Sequence, residues 1–164
     1  MNALTTKALS MALVVALWAV ISHFGKLPLQ LWPVLVGLGC FVGAGGGMSG
    51  LQKSALSTAS GVAWALIYVA VSGAVGGGRQ SVVDALVLGA AFFGIIYQSR
   101  VHLLSYTTGA ILGAATAIGA RAVTVNGGIR IIVSLAIGCA LGIVAERVAH
   151  ALGRMRVVPA MSNR

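Results

Sequence analysis

The sequence predicts an all-α integral membrane protein with six transmembrane helices, arranged as three helical-hairpin repeats around a pseudo-threefold axis. Three observations carry that expectation. Hydrophobic residues make up 59% and charged residues 8%, against roughly 45–50% and about 25% in a soluble domain. The apolar residues gather into six stretches of spanning length, separated by basic residues. The chain also resembles itself at a spacing of about 48 residues.

A soluble domain of 164 residues needs a polar surface, and 11 Lys and Arg with two acids cannot cover one. Hydrocarbon removes that need. A spanning helix takes about 20 mostly apolar residues, and each stretch can be placed in turn. The first, Ala8–Phe24, follows Lys7 and carries Trp18 in its middle; no small-residue cleavage site follows it, because Ser22-His23-Phe24-Gly25-Lys26 is a poor match. The second, Leu29–Gly47, ends in Gly45-Gly46-Gly47, which can bend it. The third, Ser54–Val75, lies between Lys53 and the turn residues Gly76-Gly77-Gly78. The fourth, Ser81–Tyr97, follows Arg79, and the fifth, Val101–Ala120, lies between Arg100 and Arg121. Asn126-Gly127-Gly128 reads as the last loop, and the sixth stretch is Ile129–Ala149. Residues 1–151 then form one six-helix domain, with hairpins at about 8–47, 54–97 and 101–149, and residues 152–164 form a basic cytoplasmic tail. The 23 glycines, costly in soluble helices, let membrane helices approach closely.

Six spans put both termini on one side. That side carries Lys7, Lys53, Arg100, Arg147, Arg154, Arg156 and Arg164; the other carries Lys26, Arg79, Arg121 and Arg130. The excess of basic residues places both termini in the cytoplasm. The net charge of +9 is therefore a topology signal. No basic cluster sits among aromatics on a soluble face, so nucleic acid is not expected as a partner.

The self-similarity is ordered. Odd-numbered spans begin with Ala8-Leu9-Ser10, Ala55-Leu56-Ser57 and Leu103-Leu104-Ser105. Even-numbered spans share small residues four apart, at Gly39/Gly43, Ala90/Gly94 and Gly138/Gly142, which read as helix-packing contacts. Three like hairpins around an axis leave either a packed centre or a narrow pore. The candidate pore-lining residues are Ser10, Ser57 and Ser105 at matching depths, Trp18 and Trp64 in mid-span, Phe41 and Phe92 as an aromatic constriction, and the hydroxyls of Tyr68 and Tyr106.

No ionisable residue is expected deep in the bilayer. Asp84 and Glu146 fall near span ends, as do His23, His102 and His150. Asp84 is expected to pair with Arg79 or Arg130, and Glu146 with Arg147 or Arg100. The absence of mid-membrane acids argues against a proton-driven pump and suits passive movement of a small neutral solute, or of a weak acid in its neutral form. Cys40 and Cys139 are expected to be buried apolar contacts. No metal site, cofactor motif or catalytic set is present in the spacing of the sequence.

Leu17-Trp18-Ala19, Leu31-Trp32-Pro33 and Gly39-Cys40-Phe41-Val42-Gly43 with the glycines after it resemble the YcdZ-like family of small bacterial inner-membrane proteins of unknown function, over most of the chain to about Ala151. The resemblance implies a location and a size and brings no functional residues. The hairpin plan is also similar to that of the acid-gated urea and amide channels, and in size and span number to the bacterial acetate channels, although the Asn-Pro motif of the acetate channels is missing here. That likeness implies a passive channel or facilitator for urea, short amides or short carboxylic acids, working as a homo-oligomer, a trimer or hexamer. A non-transporting subunit with a closed, packed core is the alternative from a different class.

Overall fold

A computed structural model of the chain describes residues 3–25, 30–75, 82–122 and 124–154. Among them every regular element is helical: α1 (Ala3–Phe24), α2 (Leu31–Gly43), α3 (Gly47–Ala74), α4 (Val82–Tyr97), α5 (Thr107–Gly119) and α6 (Val125–Arg154). Single 3-10 turns at Gln98–Arg100 and His102–Leu104 join α4 to α5. Lys26, Gly76–Gly78, Arg79 and the tail beyond Arg154 lie outside the described residues.

Four segments are long and apolar enough to cross a membrane: Thr5–Phe24, Gly47–Ala74, Val82–Arg100 and Val125–Leu152. The second and fifth expected spans are shorter than the sequence suggests. Helices α2 and α5 have 13 residues each, or about 20 Å at 1.5 Å per residue, against a hydrocarbon core of about 30 Å. The cause at α2 is a chain reversal in Gly45, Gly46 and Gly47, with φ of 93°, 71° and 66°. These angles are open to glycine and costly for other residues, so the glycines end the helix instead of bending it. At α5 the polar run from Gln98 to Ser105 is taken up by the 3-10 turns. Conversely, Asn126-Gly127-Gly128 falls inside the first turn of α6 and is not a loop.

The bundle faces outward with its large apolar side chains. Phe24 and Val82 are each 79% exposed, and Leu17, Leu86 and Phe93 also point away from the core. A water-soluble domain does not leave such a continuous apolar exterior.

Pairing within the bundle follows from residue contacts. Helices α3 and α6 run antiparallel through the middle. The Gly47 N–H donates to the Glu146 carboxylate (2.9 Å), the Ser54 hydroxyl donates to Cys139 Sγ (3.4 Å), and Leu66 covers Gly128. Tight turns reverse the chain between α2 and α3 and between α5 and α6, so α2 lies alongside α6 in the same direction, and α5 alongside α3. Along α2 and α6 the contacts climb together: Val34 and Gly37 meet Gly138 and Leu135, Phe41 covers Gly142, and Gly46 meets Glu146.

These contacts recur in the second half of the chain. Ala44, Gly45 and Gly46 N–H donate to the carbonyls of Cys40, Val42 and Phe41; Ala120, Arg121 and Ala122 N–H donate to those of Thr116, Ile118 and Ala117, each 76 positions on. Gly138 rests on the Val34 carbonyl and Gly37 on that of Leu135, just as Gly61 rests on the Ala110 carbonyl and Gly113 on that of Thr58. Helices α1 and α4 complete the match, since α1 packs on α6 and α4 on α3. The unit is therefore three helices, α1–α3 and α4–α6. The units exchange about a twofold axis that passes between Thr58 and Leu135, across the helix axes.

The three-hairpin arrangement expected from the 48-residue spacing is not how these helices pack. In that scheme α1 would pair with α2, and α2 and α4 would be equivalent; instead α1 packs on α6, and α2 is enclosed against α6 while α4 is peripheral on α3. The spacing matched small residues that recur throughout a Gly/Ala-rich chain. The residues that carry the true relation are Ser57-x-Ala59-x-Gly61-x-Ala63 and Ser134-x-Ala136-x-Gly138-x-Ala140, at a spacing of 77.

Candidate functional site

Close backbone contacts join α3 to α5 and α2 to α6 in the middle of the bundle. At Gly61, Gly113, Gly37 and Gly138 a side chain would overlap the carbonyl group of the facing helix. Each glycine instead aims a Cα hydrogen at that carbonyl, a weak C–H···O contact. Phe41, Val62, Ile95 and Leu135 fill the space around these crossings and are almost fully buried. Among the described residues, cavities lie on either side of these crossings, at opposite ends of the bundle.

The first, of about 190 Å³, sits beside the α5–α6 turn and is lined by Gln30, Arg121, Thr124, Arg130, Ile131 and Ser134, among others. Thr124 precedes α6 and its hydroxyl accepts the Gly127 N–H (3.2 Å), a capping contact. The Ser134 hydroxyl donates to the Arg130 carbonyl (2.9 Å). The Trp32 indole N–H donates to Gln30 Oε1 (3.0 Å), which fixes the amide at the rim. Arg121 has φ 52°, the one left-handed residue other than glycine among those described, at the position equivalent to Gly45.

The second cavity, of about 150 Å³, lies at the other end and is lined by Lys7, Ser10, Met11, Gly46, Glu146 and Ala149, among others. Ser10 donates to the Lys7 carbonyl in its own helix (2.9 Å). Glu146 holds the glycine turn through the Gly47 N–H.

Twofold-equivalent residues sit in unequal surroundings. Ser134 borders the first cavity, which Gln30 also lines; the serine is only 2% exposed, and its hydroxyl has a partner in the Arg130 carbonyl. Its equivalent, Ser57, is fully buried, and its hydroxyl has no hydrogen-bond partner. Tyr106, equivalent to Gln30, fills the space over Ser57, with its ring on Gly109 and its hydroxyl against Gly43. An aromatic ring thus takes the place that Gln30 holds beside the first cavity, and the second cavity lies at the same end as that ring.

The sequence-derived candidates are distributed differently from the expectation. Ser10, Ser57 and Ser105 do not share a depth: Ser10 borders the second cavity, Ser57 lies near the central crossings, and Ser105 is exposed in the α4–α5 linker, donating to the His102 carbonyl. Phe41 is buried against Gly142, whereas Phe92 is 39% exposed on the outer surface, so the two form no common constriction. Trp18 and Trp64 also separate. The buried Trp18 indole N–H has no partner, while Trp64 packs on Gly94 and donates to Gln98 Oε1 (3.0 Å). Gln98 in turn donates to Ser60 Oγ (3.0 Å), tying α3 to the end of α4. Tyr68 donates to Asp84 (2.9 Å), and Ser72 also donates to it. Glu146 is held by Gly47 in place of the expected arginine. Of the expected packing residues, Gly94, Gly138 and Gly142 do meet facing side chains or backbone, and Gly43 meets Tyr106. Gly39 and Ala90 face outward, with Gly37 taking the packing role assigned to Gly39. The sequence reading missed Gln30, Gln98, Arg121, Arg130 and Ser134 as site residues; only Ser134 had a signal, in its shared Ser-x-Ala-x-Gly-x-Ala pattern. Cys40 and Cys139 are buried free thiols; Cys139 is more than an apolar contact, since it accepts from the Ser54 hydroxyl and donates to the Gly37 carbonyl.

A family model described as "Protein of unknown function (DUF1097)" matches residues 8–150. No curated protein and no solved structure matches the chain.

Proposed function

This chain is a member of the DUF1097 family, and we propose that it is a membrane facilitator for a small polar solute, of the size of urea, a short amide or a short carboxylic acid. On this reading the six helices sit in a bacterial inner membrane with both termini cytoplasmic. The twofold axis then lies in the membrane plane, which makes α1–α3 and α4–α6 inverted repeats. Inverted repeats suit transport, because exchanging the conformations of the two halves exchanges the side on which the site is open. The observation that carries the reading is the inequality of two equivalent buried serines: Ser134 borders a cavity and has a hydrogen-bond partner, whereas Ser57 lies beneath Tyr106 with none. A second state in which Ser57 is wetted and Ser134 is covered uses the same contacts in the opposite halves. The unpartnered Ser57 hydroxyl is the group that state would satisfy, since a buried donor without a partner is costly.

We favour facilitation through alternating exposure over a permanently open channel, and the close glycine crossings of α3 with α5 and α2 with α6 support that choice. The outward Gly39 and Ala90 surfaces remain as contact sites for a homo-oligomer, a trimer or hexamer. Uptake of urea, acetamide and acetate into vesicles reconstituted with the full chain tests the reading. Uptake above that of empty vesicles for at least one solute is expected, and none for all three refutes it. The same packed crossings favour the rival class, a non-transporting subunit with a closed core, for which no solute moves.

A further inference from the structure

We propose that the cavity beside the α5–α6 turn is an oxyanion site that takes a short carboxylate between Arg121 and Arg130. The inference rests on the facilitator reading for its role in transport and narrows the solute class to anions.

The charge balance is the first argument. Arg121 and Arg130 line one cavity, and among the described residues neither guanidinium has a carboxylate partner. The chain has only two acids to offer. Asp84, on α4, accepts from Tyr68 and Ser72 on α3, and Glu146 is at the other end of the bundle on the Gly47 N–H. Both arginines are exposed, and two like charges on one small cavity repel each other unless an anion lies between them.

The second argument is conformational and independent of charge. Arg121 takes a left-handed backbone angle at the position its equivalent fills with Gly45. A side chain there costs roughly 1–2 kcal/mol relative to glycine. The turns around the two residues have the same hydrogen bonds, so glycine would serve the turn equally well. What arginine adds is a guanidinium at the cavity wall.

The lining fits a short carboxylate. Gln30 accepts the Trp32 N–H with its oxygen, which leaves its amide N–H groups to donate. The N-terminal turn of α6 adds a favourable dipole, and Ile131 supplies an apolar wall for a short alkyl group. The volume of about 190 Å³ admits a few heavy atoms. A phosphate group presents the same oxyanion chemistry, free or on a lipid.

Calorimetric titration of the full chain in phosphatidylcholine nanodiscs, with acetate and with inorganic phosphate, tests the site without any flux. Saturable binding of at least one anion is expected. Arg121→Gln and Arg130→Gln should each weaken it by about tenfold or more, the worth of one charged hydrogen bond. Arg100→Gln, at the other end where Arg100 stacks on Tyr97, should leave it unchanged. Phosphatidylglycerol added to the discs separates the sources. Unchanged anion affinity identifies a free solute, and competition that Arg121→Gln relieves identifies a headgroup, both at the same oxyanion site. No saturable binding of either anion, with no arginine-dependent stabilisation by phosphatidylglycerol, overturns the proposal. So does binding that both arginine variants retain in full. Binding without uptake would refute transport and leave the site standing, whereas uptake indifferent to both arginine substitutions would do the reverse.

Discussion

Gly61→Ala tests the packing scheme most directly. A methyl group on Gly61 would overlap the carbonyl oxygen and carbon of Ala110. The obstacle is backbone, so no rotamer change relieves it, and α3 and α5 must move apart by about 1 Å or more to restore a contact distance. The separation also loosens the second half of the crossing, where Gly113 rests on the Thr58 carbonyl. Overpacking of this kind costs about 1–3 kcal/mol, and the rigid neighbour puts Gly61 at the upper part of that range. Alanine recovers up to about 1 kcal/mol through its better helix propensity. The net loss is about 1–2 kcal/mol, a factor of roughly 5–30 in the folding constant. Gly39→Ala is the matched control, because a methyl group there meets nothing within 4 Å; it keeps only the propensity gain and should be neutral or stabilising by up to about 1 kcal/mol. Gly138→Ala, at the equivalent crossing with Val34, should match Gly61→Ala. The assay is unfolding in mixed micelles by added SDS, followed by helical circular dichroism. Midpoints for Gly61→Ala and Gly39→Ala that move in the same direction would refute the crossing.

Tyr106→Gln puts at the Ser57 end the residue that its equivalent has beside Ser134. In a background with Cys40 and Cys139 replaced by alanine, a cysteine introduced by Ser57→Cys should label about tenfold faster with a water-soluble maleimide when Tyr106 is also Gln, and equal rates would show that the ring does not close that end. Gln98→Ala removes the group joining Trp64 and Ser60, leaving the part-buried Trp64 N–H without its acceptor; a loss of about 1–2 kcal/mol is expected in the same SDS titration. Arg121→Gly should stabilise the fold by about 1 kcal/mol through relief of the left-handed angle while weakening anion binding as Arg121→Gln does. A destabilised Arg121→Gly protein would mean that the guanidinium supports the turn and is not held there for a ligand.

The apolar character was legible because hydropathy is a local property. The stretches 8–24 and 54–75 needed no knowledge of their partners, and α1 and α3 cover them. Pairing was not legible, because the residues that decide it are glycines, and a chain with 23 of them offers many registers. The 48-residue register aligned Gly94 with Gly142, yet Gly94 receives the Trp64 ring and Gly142 the Phe41 ring, on different helices facing different partners. The 77-residue register aligns Gly61 with Gly138, both set on a carbonyl. Only a contact distinguishes the two. The end of α2 was half legible: three successive glycines marked a weak point, but whether they bend or reverse the chain depends on their positive φ angles. The cavity arginines read as loop charges because Arg121 and Arg130, nine positions apart, converge only once the turn folds back between them.

The two halves differ in an ordered way. Where backbones touch, they keep the same residue or a similarly small one: Gly37 with Gly113, Gly61 with Gly138, Ala44 with Ala120. Where the ends open, they diverge: Gln30 against Tyr106, Gly45 against Arg121. A repeat that served only to hold the bundle together would have no reason to tolerate a left-handed arginine at one end and an unpartnered buried hydroxyl at the other, since each costs stability. Two ends that meet different solutions do have such a reason, because the crossing must work from both sides while each mouth must select on its own. On the proposed facilitator reading, the symmetric part of the chain serves as hinge and seal, and the asymmetric part as the recognition chemistry. Mutations should divide accordingly, those at the crossings moving stability and those at Arg121, Arg130 and Tyr106 moving binding or access.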